Sequence, residues 1–342
     1  MKKIIVSAPC KIHLLGEHAV VYGKPAILTA VDLRVKVTIK PRHSGDPPAG
    51  GDSRIRSVNS GQVDSGQRAQ LSQAFRPSLQ SEARMTSILE PIIKKALELQ
   101  TLPPYALAID SQIPIGCGLG SSAAVSAAYF GAMLSFLGHP WDVDRINALA
   151  YEAEKIFHGN PSGGDNSTVC YGGLLWFQKK NDKKTITPLN FTIPAKLAQN
   201  FILINTGTPK ESTKEMVMFV KDLSIKRPKA VETFLEKQEK LVRELLPVIK
   251  EAKESDFIRI IREGEHNLES IGVVSGFAQK IIREIEKAGG AAKICGGGAR
   301  KKATGVLLTY HENPFIVENI ALFHGLPFFK TALGVEGVRQ DN

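Results

Sequence analysis

The chain has 342 residues, with 44 Lys and Arg against 34 Asp and Glu, a formal charge of +10, 43% hydrophobic and 23% charged residues. That is a globular composition with length enough for two domains. It excludes several classes: no run of about 20 apolar residues could form a transmembrane helix, and the cations lack the aromatic interleaving of a nucleic-acid face. The four cysteines (Cys10, Cys117, Cys170 and Cys295) lack C-x-x-C spacing, which argues against zinc and a disulfide scaffold. Met1-Lys2-Lys3-Ile4-Ile5-Val6 has too short an apolar run for a secretion signal, so a first strand in a cytoplasmic protein is expected.

Strands are predicted at 3–8 and 31–41, the latter from the alternation Val35-Lys36-Val37-Thr38-Ile39-Lys40, with a short helix at 25–29 between them. From 43 to about 84 the chain is polar and rich in Ser and Gln, which predicts a long mobile loop, with a short hairpin at 55–63. An amphipathic helix follows at 85–100, with Ile88, Leu89, Ile92, Ile93, Ala96 and Leu97 at helical spacing. Next come a strand at 105–110, a glycine-serine loop at 113–122 opening an alanine-rich helix, and a helix at 143–157. A glycine-rich turn at 158–166 leads to a buried strand at 172–177 and a solvated lysine turn at 179–184. The chain divides near 190–200. Beyond lie a strand at 201–205, a long helical stretch over 214–268, a helix at 276–288, a glycine run at 295–298 and a strand at 304–310.

The segment Ile113-Pro114-Ile115-Gly116-Cys117-Gly118-Leu119-Gly120-Ser121-Ser122 is the most informative. Glycines permit positive φ and let a ligand approach the main chain. The serines then fall where a helix begins, with free N–H groups and the positive end of its dipole. Such a turn holds an anionic oxygen cluster, and a nucleotide phosphate is expected. No lysine follows Gly120, so this is not a Walker A loop, and G-x-G-x-G is not the dinucleotide spacing. A strand-to-helix turn capped by serine is the alternative.

Two further constellations carry chemistry. Pro9-Cys10-Lys11 with Gly16-Glu17-His18 places a cation and two polar side chains at a strand end, where sites in mixed folds commonly lie. Glu154 on a helix, followed by Pro161-Ser162-Gly163-Gly164-Asp165-Asn166, offers one carboxylate for a metal and one to receive a hydroxyl proton.

Together these motifs resemble the GHMP kinase superfamily (galactokinase, homoserine kinase, mevalonate kinase, phosphomevalonate kinase), and most closely the mevalonate kinases. Ser7-Ala8-Pro9-Cys10-Lys11 with Gly16-Glu17-His18-Ala19-Val20-Val21-Tyr22-Gly23 is similar to the first motif, 114–124 to the second, and 154–166 to the stretch with the metal-binding Glu and catalytic Asp. The likeness continues through 171–173, 206–213 and 266–273.

The resemblance implies an α/β (α+β) fold of two domains, a mixed N-terminal one over 1–195 that includes the loop 43–84, and a ferredoxin-like one over 196–342, with the active site between them. It implies ATP-dependent phosphorylation of the primary hydroxyl of mevalonate to 5-phosphomevalonate, in isoprenoid-precursor synthesis, with Mg²⁺. Carried over by position, Asp165 is the base and Lys11 its cationic neighbour, helping neutralise the γ-phosphoryl group. Ser122 and Glu154 bind the metal; Gly116, Cys117, Gly118, Leu119, Gly120, Ser121 and Ser122 wrap the phosphates, with Ser111 nearer the nucleoside. Glu17, His18, Ser212 and Thr213 face the substrate. The partner expected is this small molecule, not nucleic acid or membrane; a homodimer is compatible with the sequence. Other readings left open are phosphomevalonate, another mevalonate hydroxyl or a small sugar as acceptor, and a non-catalytic ligand sensor.

The third motif departs from the family pattern. Cys295-Gly296-Gly297-Gly298-Ala299 has a short glycine run, and Arg300, Lys301 and Lys302 follow it. This reads either as a basic turn or as extra charge near the phosphates or the substrate carboxylate. Cys10, Cys117 and Cys295 adjoin the three motifs; buried they would be inert, and accessible they could be reactive.

Overall fold

A computed structural model describes residues 2–42, 79–113, 117–159, 161–180 and 183–341. The polar segment 43–78 with its expected hairpin, and Gly116 of the glycine loop, lie outside the described residues. Strands β1 (Ile4–Leu15) and β2 (Ala26–Pro41) form the spine, joined through a 3₁₀ turn at Ala19–Tyr22. Then follow α1 (Leu79–Ala96), β3 (Tyr105–Ser111), α2 (Ser121–Phe136), α3 (Val143–His158), α4 (Gly164–Tyr171), β4 (Leu174–Lys180), β5 (Lys183–Pro188) and a short α5 (Ala195–Ala198). The remainder is β6 (Phe201–Asn205), α6 (Thr213–Lys226), α7 (Pro228–Lys250), α8 (Glu254–Ser270), α9 (Gly276–Lys287), β7 (Ala291–Ile294), β8 (Val306–Tyr310), α10 (Pro314–Phe323), β9 (Phe328–Lys330) and β10 (Arg339–Asp341).

Two antiparallel sheets organise these elements. The first runs β10-β1-β2-β4-β5, with β3 on the other half of β2, and the second runs β7-β8-β6-β9. The C-terminal strand therefore returns to the first sheet, where Val6 pairs with Gln340. Helix α2 lies on β1 and β2. Its buried face is mostly small (Ala123, Ala124, Ala127, Ala128 and Ala132), which lets the helix axis approach the sheet closely.

Several sequence expectations change. Of the helix expected at 25–29, residues 26–29 are strand: Ile27 pairs with Leu15 on one side and Trp176 on the other. The run Ala26-Ile27-Leu28 is buried, so it lacks the alternation that marks a half-exposed strand. β1 continues past residue 8 to Leu15, because its register with β2 steps from Pro9↔Arg34 to Cys10↔Val31 and pairing resumes beyond the irregularity. The helical stretch over 214–268 is three helices, broken at Pro228 and at Ala252, whose φ of 52° is left-handed. The lysine turn at 179–184 ends a hairpin in which Lys180 pairs with Lys183. Strand 201–205 and helix 276–288 stand as read, the helix ending one residue earlier.

Candidate active site

Lys11 lies within β1, just after the register step, and its backbone N–H donates to the carbonyl of Leu119 at 3.0 Å. The glycine loop is thus fastened to the strand that carries the lysine. Gly120 has a φ of 70° and is the N-cap of α2, and a Cβ there would stand 2.9 Å from Lys11 Cγ. Only glycine meets both demands. With Gly120 as the cap, Ser121 and Ser122 fall inside the first turn. Ser122 is therefore not the capping residue, and its hydroxyl reaches His158 Nε2 at 3.3 Å.

Asp165 occupies the first turn of α4 rather than an open turn, because Gly163, at φ 86°, caps that helix. Its Oδ1 is 3.0 Å from Lys11 Nζ; Lys11 is 4% exposed and Asp165 36%. The lysine is enclosed, and the carboxylate faces the open side. Glu154, on the last turns of α3, is 2% exposed and lies 3.5 Å from His158 Nε2 one turn on. Burial raises its pKa, a hydrogen bond from Ser122 opposes this, and the nearby Asp165 adds to the rise. Its Oε1 has no hydrogen-bond partner. Ser122, Glu154, Asp165 and Lys11 are therefore brought together, as the sequence predicts. His158 joins them; its i,i+4 spacing from Glu154 was the available signal.

Glu17 and His18 point into the structure. His18, at φ 56°, bonds through Nε2 to the Gly297 carbonyl at 2.9 Å, and burial lowers its pKa. Glu17 is ion-paired with Lys293 of β7, and both are buried. Burial alone would lower the Lys293 pKa, but Glu17, Cys295 and Glu265 outweigh it and hold it raised. Lys293 and the neighbouring His13 and Glu265 carry no motif signal; only the fold brings them together.

Glu265 on α8 accepts from the Ile294 N–H at 3.0 Å and is fully buried, which pushes its pKa from 4.5 to about 8 against the pull of that bond and Lys293, with Glu269 and Glu17 adding to the rise. The folded chain therefore holds a proton that the unfolded chain releases near pH 4.5, and stability falls as pH rises from there through about 8. Glu265→Gln is expected to raise Tm over the parent at pH 8 by at least about 3 °C, and by less at pH 5. Parallel thermal melts at the two pH values check this; an equal shift at both would remove Glu265 as the cause.

The remaining candidates sit on the loops. Ser111 Oγ accepts from the Ile113 N–H at 3.1 Å, closing the turn after β3. Ser212 caps α6 in a capping box with Glu215, and Thr213 packs against Gly297. Cys117, Gly118, Ser212, Thr213, Cys295 and Gly297 line a cleft of about 100 Å³. A larger cavity of about 580 Å³, by Tyr22, Lys24, Lys180 and Arg243, is lined by none of the site groups. The third glycine run packs on the first, since a Cβ at Gly118 would lie 3.0 Å from the Cys295 carbonyl. Arg300 stacks on Phe219 at 4.4 Å, and Arg300, Lys301 and Lys302 are exposed. All four cysteines are buried, and burial raises each thiol pKa, that of Cys295 to about 12. They are small core residues rather than reactive thiols.

Residues 87–173 match the family described as GHMP kinases N terminal domain. The mevalonate kinase of Pyrococcus horikoshii is 30% identical over 305 residues, covering 87% of this chain and 87% of that protein. Among solved structures, the Methanococcus jannaschii mevalonate kinase superposes with a TM-score of 0.75 at 22% identity, over 97% of this chain and 98% of that one. The L. major mevalonate kinase in complex with R-mevalonate gives 0.71 at 19%, over 97% and 96%. With a glycine loop fastened to Lys11, an aspartate beside it and relatives matched along most of their length, the chain belongs to the mevalonate kinase family of the GHMP kinases.

Proposed function

We propose that the chain transfers the γ-phosphoryl group of ATP to the primary hydroxyl of mevalonate, giving 5-phosphomevalonate. The observation that carries the reading is the 3.0 Å approach of Lys11 Nζ to Asp165 beside the glycine loop. Asp165 receives the hydroxyl proton as the oxygen attacks, and Lys11 offsets the negative charge gathering on the alkoxide and the transferred group. The loop N–H groups and the start of α2 receive the phosphates. The segment 117–122 and the cleft by Thr213 and Gly297 supply the two ends of the site, between a first domain of 1–195, which the returning β10 joins, and a second formed by the rest of 196–342.

Mg²⁺ suits the donors present: the Ser122 hydroxyl and the buried Glu154 carboxylate, with its unpartnered Oε1, are hard oxygen ligands. Among the described residues no three His, Cys, Asp or Glu side chains form a metal cage. That fits an ion that takes most of its ligands from phosphate and water. When bound, it neutralises β- and γ-phosphate charge. No described helix is long and apolar enough to cross a membrane.

The test is ADP release with a panel of mevalonate, phosphomevalonate, homoserine and galactose. Mevalonate is expected to exceed every other acceptor in kcat/KM by at least about 10²-fold. Faster turnover of phosphomevalonate would transfer the reading to a phosphate-bearing substrate and to Arg300, Lys301 and Lys302. ATP binding with no turnover of any acceptor would make the chain a sensor.

A further inference from the structure

Lys293 is 0% exposed, yet it carries a charge across the boundary between the two sheets. Its Nζ donates to Glu17, to the His13 carbonyl at 3.1 Å and to the Ile294 carbonyl at 2.6 Å, which uses all three protons. A buried ion pair is poor value as a source of stability, because desolvation offsets most of the attraction. What the pair does hold is geometry. His13 and Lys11 are two residues apart on one face of β1, and His13 Nδ1 is 3.4 Å from Lys11 Nζ. Four residues beyond His13, Glu17 directly precedes His18, which bonds to the Gly297 carbonyl. The stretch 293–297, from the end of β7 onward, thus grips 13–18, from the end of β1 onward, at both ends.

We infer that Lys293 is a positioning residue for phosphoryl transfer: its bonds to Glu17 and the His13 carbonyl hold the end of β1 so that Lys11 meets both His13 and Asp165. This rests on the assignment of Lys11 and Asp165 above. Burial, with Lys11 and Lys293 nearby, lowers the His13 pKa well below the ordinary value, so its ring is neutral and can accept from the Lys11 ammonium. Small displacements of a reacting group suffice to cost rate without loss of binding.

The experiment compares Lys293→Met, the double variant Lys293→Met with Glu17→Gln, and Asp165→Asn, measuring Tm, kcat, and KM for ATP. The double variant removes both buried charges together, so it keeps the test open if the single variant does not fold. A folded variant is expected to lose at least about 30-fold in kcat, with KM for ATP within about threefold of the parent. A kcat within about threefold of the parent in the folded double variant overturns the inference, as does failure of both variants to fold, which would make Lys293 a stability element only. Near-normal turnover in Asp165→Asn would instead overturn the assignment beneath it; an inactive Asp165→Asn beside an active double variant leaves that assignment standing.

Discussion

Asp165→Asn is expected to lower kcat by at least about 10²-fold, with ATP affinity within about threefold of the parent. Asparagine keeps the size of the side chain, and its amide oxygen can still accept from Lys11, 3.0 Å from the carboxylate in the parent. What it cannot do is take the proton leaving the hydroxyl. The nucleotide contacts proposed for the glycine loop and the first turn of α2 are untouched, so the loss should fall on turnover rather than on binding. Tm should change by no more than a few degrees, because the carboxylate is 36% exposed and a partly solvated ion pair adds little to stability. Coupled ADP-release kinetics and nucleotide titration separate the two quantities. A variant with near-normal turnover would remove Asp165 from the role of base.

How far the sequence discloses this site depends on what each residue needs from the fold. Asp165, Glu154, Lys11 and Ser122 stand in local motifs where glycine, proline and a helix start constrain the backbone, and all four converge. The nature of the turns was less legible. A serine cap is the alternative reading of the first loop, but Gly120 takes that position; Asp165 reads as a turn residue, but Gly163 starts a helix beneath it. These depend on left-handed glycines, whose exact place no composition pattern specifies.

The polar network beneath Lys11 was not legible at all. Lys293 lies in a strand with apolar neighbours and would ordinarily be read as exposed, while its partners Glu17 and His13 are some 280 residues away. Likewise, Ala26-Ile27-Leu28 reads as helix because both of its faces are buried, Ile27 in one apolar cluster and Leu28 in another, so the run shows no alternation. Periodicity records an element with one wet face, and these segments have none. The return of β10 to β1 is equally invisible, since a strand of three residues is too short to show a period.

Lys11→Met should cost still more, at least about 10³-fold in kcat, because it removes a cation preorganised inside the site. The lysine is 4% exposed, so little water is available to replace its charge. Methionine retains most of the apolar stem beneath Gly120, which separates loss of charge from loss of packing. Lys11→Arg is expected to fail as well. The stem passes so close to the loop that a Cβ on Gly120 would come within 2.9 Å of Cγ and 3.3 Å of Cε, and a planar guanidinium needs room where the loop backbone stands. Arginine would therefore displace the glycine loop and raise KM for ATP, whereas methionine should leave it near the parent value. As a control, Lys24→Met removes a lysine that pairs with Glu239 at 2.7 Å in the separate cavity, and it should retain parental kcat. Steady-state kinetics on the three variants decide the matter. If Lys11→Met lies within tenfold of the parent, or if arginine restores turnover, the enclosed ammonium is not what stabilises the transferring phosphoryl group.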